Sequence, residues 1–556
     1  MKLRKWIAWL MILCLLLSGC MNDTPQTQSP TSMTITTPTT ATQPAESRPS
    51  EPDDSPASNP PKPSLGHFQE ADPWDAPKFE DMEYTRPDME VFNATVASCT
   101  ELAAGSDAEA LLDAFEAYLV QTSNFITNYW LAYIRYNLNL SDEYWQQEHE
   151  FCTENMAQVE SEMDLLLHTL ADSPHRDYLE RQEYVGEGFF DAYEGDSIWT
   201  EKFTALINQE NGLEAEYYAL VESNASVDQL AQLLVDMVSL RQQIATEAGY
   251  ADYPSFAYDF YYQRDYSVAE VKAYLTDVQE QLVSLYQQAM DNDDWASGIV
   301  ASNSKDTMAY TEKVAQAMGG SAEEAFRLLK EKELYHIRYG YKKLGGAFCV
   351  FLPDYMTPFV FVSPTGTSYD QLTLTHEFGH YARGFANGGV DASIDVEEIF
   401  SQGLENLSLF HGGEKSTAFR MMMSLSTYVE QGAYADFELR IYDLEPEELT
   451  VENLKKIYGD IKEDYALGTM AISFTEILHL YVEPLYVISY VTSNDAALQL
   501  YQMELADPGS GVKCYLDNLD NPEPQFMAFL DSVGLESPFA PGRILDVRET
   551  LEYCLR

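Results

Sequence analysis

The sequence predicts a mostly α-helical protein with one small β element, and three features carry that expectation. From about Asp72 to Leu344, apolar residues recur at three- and four-residue intervals, as in MDLLLHTLAD, VDQLAQLLVDMVSLRQQIATEAG and VAEVKAYLTDVQEQLVSLYQQAM. β signals are confined to 347–363, where AFCVFLP and PFVFVS flank DYMT like two strands about a turn. Helical periodicity resumes near residue 368 and runs to the end, and no repeat of fixed period interrupts it.

Residues 1–20 stand apart as a signal peptide. Lys2, Arg4 and Lys5 precede an apolar stretch from Trp6 to Leu17, well short of the ~20 residues that span a bilayer as a helix. The stretch ends in Leu17-Ser18-Gly19-Cys20, which resembles a bacterial lipobox. That resemblance implies that Cys20 becomes the lipid-bearing N-terminus, and the competing explanation is a short signal anchor with an incidental cysteine. Residues 21–71 follow as a linker, Thr-, Ser-, Pro-, Gln- and Asn-rich with almost no aliphatic residues as far as Pro63. Such a composition cannot bury enough surface to offset chain entropy. The plan is a lipid anchor, a flexible stalk, an N-terminal helical region over 72–335 and a second region over 336–556. It places the protein on the extracytoplasmic face of a bacterial membrane.

The chain carries 90 acidic and 33 basic residues, a formal net charge of −57. Nucleic acid is excluded as a partner, because phosphates demand basic patches. Broad docking on anionic lipid is disfavoured for the same reason, so the Cys20 lipid must do the anchoring. Beyond Cys14 and Cys20, the five remaining cysteines are widely spaced and contain no CxxC. They predict small buried hydrophobes rather than a disulfide framework or a zinc finger.

The segment TLTHEFGHYARGF, residues 373–385, holds two of the nine histidines. Ser368 to Gln371 has the pattern of a capping box, and Asn387-Gly388-Gly389 supplies a stop. Between them, Leu374, Phe378, Tyr381 and Phe385 form an apolar stripe, which makes the segment a helix. His376 and His380 then share a face and can converge on one ion. Zn²⁺ suits imidazole and tolerates three protein ligands plus a water, and Glu377 stands beside them to take a proton from that water. HExxH arises by chance often enough that a third ligand is required, and without one the pair could be surface histidines on an amphipathic helix.

The third ligand should come from a second helix packed beside the first, within DVEEIFSQGLEN, residues 395–406. Glu397, Glu398 and Glu405 are all candidates, and Glu398 and Glu405 share a face. Asp395 with Glu398 also fits an N-cap box, in which Glu398 would serve backbone rather than metal. Spacing does not choose among these.

The run KKLGGAFCVFLPDYMTPFVFVSPTGTSYDQLTLTHEFGHYARGF resembles the catalytic core of the thimet oligopeptidase and oligoendopeptidase F family. The family pattern joins a Gly-Ala-x-Cys strand, a Pro-Phe strand, a Gly-Thr turn, an Asp and HExGH. Its second helix resembles E-x-x-S-Q-x-L-E, matched here by Glu398, Ser401, Gln402, Leu404 and Glu405. The resemblance implies Glu398 as the third zinc ligand and Glu405 as a partner supporting the ligands, and leaves Glu397 to solvent. HLYVEPLYVISYVTSNDAALQLY, residues 479–501, is similar to a downstream family segment whose histidine and tyrosines stabilise the oxyanion. The matching positions are His479, Pro484, Tyr486 and Tyr490. Tyr O–H and imidazole N–H are donors that can be aimed at developing negative charge. Two departures stand out: Arg383 occupies a place where family members often carry histidine, and Val487 replaces a common second tyrosine. Tyr490 is accordingly preferred to Tyr486 at the oxyanion. Similarity is strongest over about 336–501 and weaker over ADYPSFAYDFYYQRDYS, residues 251–267; upstream it rests on helical character alone.

The resemblance implies an elongated helical body with a deep channel, one Zn²⁺ per chain, a monomer, and hydrolysis of internal bonds in short unfolded peptides. Glu377 would act as general base, with His479 and Tyr490 on the oxyanion and the PFVFVS strand paired to the extended substrate. Two other functions compete: a membrane-anchored peptide-binding lipoprotein that has lost catalysis, and a zinc protease of another family that cuts folded proteins.

Overall fold

The computed structural model describes residues 72–556, apart from 183–184, 196, 293, 391, 412–413 and 469–471. The expected signal peptide, the linker up to residue 71 and Cys20 lie outside the described residues. Ten helices precede the sheet's second strand: α1 (Met89–Ala103), α2 (Ala108–Leu138), α3 (Glu143–Ala171), α4 (Arg176–Glu180), α5 (Glu201–Glu222), α6 (Val227–Glu247), α7 (Tyr253–Phe260), α8 (Val268–Asp291), α9 (Ser304–Met318) and α10 (Gly320–Glu331). After the sheet come α11 (Tyr369–Asn387), α12 (Ile394–Ser408), α13 (Glu414–Ser426), α14 (Gly432–Tyr442), α15 (Val451–Asp464), α16 (Ile488–Ala506), α17 (Ser510–Asp517), α18 (Phe526–Val533) and α19 (Arg543–Cys554).

Local chemistry starts these helices where the sequence says it should. Ser226 and Gln229 close a capping box on α6, as Ser267 and Glu270 do on α8. Asp107 caps α2 and Asp142 caps α3 through their carboxylates. Buried residues from Met82 to Leu551 form one connected hydrophobic cluster, so the helices before and after the sheet share a core. Among the described residues, no helix is long and apolar enough to cross a membrane. Cys99 and Cys152 are buried, Cys349, Cys514 and Cys554 partly so, and all five are free thiols.

The two expected strands form, as β2 (Ala347–Leu352) and β3 (Thr357–Val362), paired antiparallel. A third strand that periodicity did not reveal, β1 (Tyr335–Ile337), adds parallel to β3. The order β1-β3-β2 makes β3 the central strand, and every residue of β3 is buried. This argues against the expectation that PFVFVS pairs with substrate, because β2 covers one edge and β1 takes the other over Val360–Val362. β1 and β2 are the two edge strands, and β2 is the longer. Ser363 N–H donates to Gly346 O at 2.8 Å. With the Phe348↔Phe361 register, that places the N–H and C=O of Ala347 and Cys349 on the side away from β3.

α11 lies across β2 and β3, and α12 is held between α11 and α16. The start of α11 differs from expectation. Ser368 makes no cap bond; its hydroxyl donates to Gly298 O at 2.8 Å and accepts from Val300 N–H at 3.0 Å. Asp370 instead organises the entry, accepting from Thr365 N–H at 2.7 Å and Gly366 N–H at 2.8 Å. The stop is as expected: Gly388 ends α11 with φ of 72°, a left-handed conformation open to glycine without strain.

Candidate active site and metal centre

His376 and His380 stand one turn apart on α11, their ring centroids 5.1 Å from each other. Glu398 reaches them from the second turn of α12. Its Oε2 lies 3.5 Å from His376 Nε2 and its Oε1 3.9 Å from His380 Nε2. One ligand atom from each residue falls within 4.8 Å of the others. The α11–α12 approach that allows this depends on Gly379, inside the HEFGH motif. A Cβ there would sit 2.6 Å from both the Phe400 carbonyl oxygen and the Ser401 Cα, so no side chain fits.

The cluster fits a zinc ion on its own geometry. Two ligands bound at ~2.1 Å on a tetrahedral ion stand about 3.4 Å apart, close to the spacing seen. His380 Nε2 is buried with no hydrogen-bond partner, a costly state that a cation would relieve. Two imidazoles and a carboxylate make a three-ligand set that leaves a position for water or substrate. Without a cation, burial works against charging His376, but Glu398 and then Glu405 outweigh it and raise the imidazole to about 9. Burial, followed by the neighbouring His376, pushes His380 well below the usual range. Burial also raises Glu398.

Glu405 occupies the supporting position. His376 Nδ1 lies 2.9 Å from Glu405 Oε1, which fixes the ring and leaves Nε2 for an ion. Arg420 Nε, 2.9 Å from Glu405 Oε2, steadies that carboxylate; no sequence pattern pointed to Arg420. Ser401 Oγ donates to Glu398 Oε2 at 2.8 Å, and Tyr486 O–H to Glu398 Oε1 at 3.2 Å. Glu377 is buried beside these groups at 3% exposure.

Two alternatives left open by spacing are decided by packing. Asp395 caps nothing: its Oδ2 accepts from Arg264 Nε at 3.1 Å and Tyr266 O–H at 3.0 Å. Both partners come from the 251–267 segment. Glu397 is not left to solvent, contrary to expectation, because Arg383 Nε donates to its Oε1 at 3.0 Å. Arg383 is itself buried, stacks 4.4 Å from the Phe400 ring, and donates to Asn518 O, Leu519 O and Asn521 O. The departure at this position thus serves as a tie between α11, α12 and the turn after α17.

His479 and the tyrosines enter from the other side. The His479 ring stacks on Tyr486 at 4.9 Å and 7°, and Tyr490 meets it edge-on at 5.9 Å. His479 Nδ1 lies 2.8 Å from Glu483 Oε2, within HLYVE. The i,i+4 spacing was legible in the sequence, yet Glu483 was not singled out. The loop beyond turns at Leu485, whose φ of 67° is unusual for a branched residue. Its N–H donates to the buried Glu438 Oε1 at 2.6 Å.

Residues 79–197 match the Peptidase M3 N-terminal domain, a stretch in which the sequence offered only helical character. No curated protein matches the chain in sequence. Among solved structures, PZ peptidase A, determined with an inhibitor, is 19% identical with a TM-score of 0.75, covering 86% of this chain and 99% of that one. A provisionally named oligoendopeptidase F is 20% identical with a TM-score of 0.74, over 86% of this chain and 99% of that one. Another from Bacillus anthracis is 19% identical with a TM-score of 0.72, over 86% and 98%. These likenesses establish the fold as that of oligoendopeptidase F and PZ peptidase A structures, and residues 79–197 match the Peptidase M3 N-terminal domain.

Proposed function

We propose that this protein is a zinc-dependent oligoendopeptidase that hydrolyses internal bonds of short, unfolded peptides. The observation that carries the reading is the convergence of His376, His380 and Glu398 within 4.8 Å, on a family fold whose similar structures include peptidases. His376, His380 and Glu398 would hold the ion, which when bound supplies Lewis-acid polarisation of a carbonyl and a lower pKa for water.

The remaining chemistry belongs to the chain. Glu377, buried next to both imidazoles, accepts the proton of the attacking water and delivers it to the departing amine. His479 and Tyr490 donate hydrogen bonds to the oxygen that gains charge, each donor contributing ~3 kcal/mol in the transition state. Tyr486 is less suited to that task, since its hydroxyl is engaged with Glu398. Glu483 Oε2 lies 2.8 Å from His479 Nδ1, so the Nε2 side of the ring is the one offered to a substrate oxygen. The open edge of β2, with the Ala347 and Cys349 backbone groups turned outward, offers an extended peptide a strand to pair with. Recognition through backbone makes cleavage tolerant of sequence, and a channel between the helices would keep folded proteins out.

The same proposal tethers the enzyme outside the membrane through lipid on Cys20, supported by the sequence of residues 1–20 alone. Incorporation of labelled fatty acid into wild type but not Cys20→Ala tests it. For the activity, a quenched fluorescent peptide of about ten residues is incubated with metal-loaded protein, with and without chelator, alongside metal analysis. Cleavage abolished by chelator is expected; loaded protein that binds the peptide without cutting it would favour the peptide-capturing lipoprotein.

A further inference from the structure

His479 sits on a segment with little regular structure of its own. Between 472 and the start of α16 the chain forms only short 3₁₀ turns, Phe474–Glu476 and Leu478–Leu480. Its path must therefore be set from outside, and the strongest external grip comes from α6. The Arg241 guanidinium is fully buried. Its Nη1 donates to Leu480 O at 2.7 Å and its Nη2 to Tyr481 O at 2.5 Å, the two carbonyls that directly follow His479. Nε donates to Glu210 Oε1 on α5 at 2.6 Å, and Nη1 also reaches Tyr442 O–H at 3.3 Å. The same short stretch is gripped again at Tyr481, whose hydroxyl donates to Leu230 O at 3.1 Å and whose ring stacks on Tyr217 at 4.1 Å.

We propose that Arg241, on a helix of the N-terminal region, is a positioning residue for His479, acting through the carbonyls of Leu480 and Tyr481. The proposal rests on the peptidase reading. A buried ion pair is by itself a weak source of stability, so neutralising Glu210 does not account for the geometry. What the planar fork adds is a fixed relation between two consecutive carbonyls. These two fixed peptide planes, together with the His479 carbonyl that accepts from Glu483 N–H at 3.2 Å, restrict the backbone on which the His479 ring lies flat against Tyr486. Lysine gathers its three donors on a single nitrogen and cannot reproduce the spread of the fork, in which Nε meets Glu210 while Nη1 and Nη2 meet one carbonyl each. Because a reacting group displaced by ~1 Å can cost about a hundredfold in rate, the loss of the fork falls on the chemical step.

The test compares wild type, R241K and E210Q as metal-loaded full chains. Cleavage of the quenched peptide gives kcat and KM; calorimetry gives the affinity of a phosphinic peptide, which mimics the tetrahedral oxyanion. R241K should lower kcat about ten- to a hundredfold with KM little changed and the bound metal retained, and should weaken the phosphinic peptide by the same factor as kcat/KM. E210Q keeps both carbonyl contacts but leaves the buried guanidinium without its carboxylate, so its Tm should fall while kcat and phosphinic-peptide affinity of the folded protein stay near wild type. If R241K does not fold, R241Q/E210Q leaves no buried charge unpaired and should show the same split. An active wild type with unimpaired kcat and phosphinic-peptide affinity in R241K, or an equal loss in E210Q, overturns the positioning role alone. A wild type that cleaves nothing overturns the peptidase reading and this role together.

Discussion

His376 Nδ1 lies 2.9 Å from Glu405 Oε1, and the other Glu405 oxygen lies 2.9 Å from Arg420 Nε. An imidazole held at one nitrogen by a steadied carboxylate presents the other nitrogen in one tautomer and one orientation, the arrangement a metal ligand needs. Glu405→Gln should therefore weaken zinc about 10- to 100-fold, measured by competition with a chelating dye. Unchanged affinity would show that His376 needs no such support.

Glu377→Gln separates binding from chemistry. Glu377 lies outside the His376–His380–Glu398 group, so the variant should retain one metal per chain while kcat falls by about 10²–10⁴. Loss of metal and activity together would instead make Glu377 part of the ion's support.

Gly379 tests the helix contact. With its missing Cβ 2.6 Å from backbone of α12, Gly379→Ala must push the helices apart, at a cost of about 1–3 kcal/mol, and separate Glu398 from both rings. A lower Tm and lost zinc binding are expected. Gly459→Ala on α15, where a Cβ meets nothing within 4 Å, should keep zinc binding and raise Tm slightly through its better helix propensity.

Arg383→His installs the residue type that the family resemblance implies but cannot span Glu397 and the carbonyls of Asn518, Leu519 and Asn521. Breaking this buried network should cost about 3–5 kcal/mol in a denaturant titration. A variant as stable as wild type would show that the histidine finds its own partners.

Glu438 gives a pH dependence. Burial pushes its carboxyl up to about 8, against the pull of the Leu485 N–H, Arg241 and Arg264. A folded-state value above the ordinary 4.5 means the folded protein keeps a proton that the unfolded chain releases. The contribution is full below pH 4.5 and declines as pH rises to about 8. The Tm of Glu438→Gln relative to wild type should accordingly rise across that window; a flat difference would mean that Glu438 is ionised throughout.

Much of the site was legible because its pieces are local. The apolar stripe through Leu374, Phe378 and Tyr381 identifies α11 and so puts His376 and His380 on one face, and each of the three stripe residues is buried. The strand pair at 347–362 follows from two β-rich runs about a turn. β1 escaped notice because three residues carry too little periodicity, and its parallel partner lies more than twenty positions away. Ser368 shows the converse: its capping pattern is correct in sequence, but Gly298 and Val300 claim the hydroxyl.

By itself the sequence determined the helical periods, the hairpin, the HExxH face and the family likeness, since each rests on residues a few positions apart obeying backbone geometry. Only the tertiary structure decided that Glu398 meets the imidazoles, that Glu397 and Asp395 are taken by Arg383 and Arg264, and that β3 lies between β1 and β2. It alone brought Arg241 to the carbonyls beyond His479. The partners in these contacts stand fourteen to well over two hundred residues apart, and which of several equivalent carboxylates finds which cation is fixed by packing rather than by spacing.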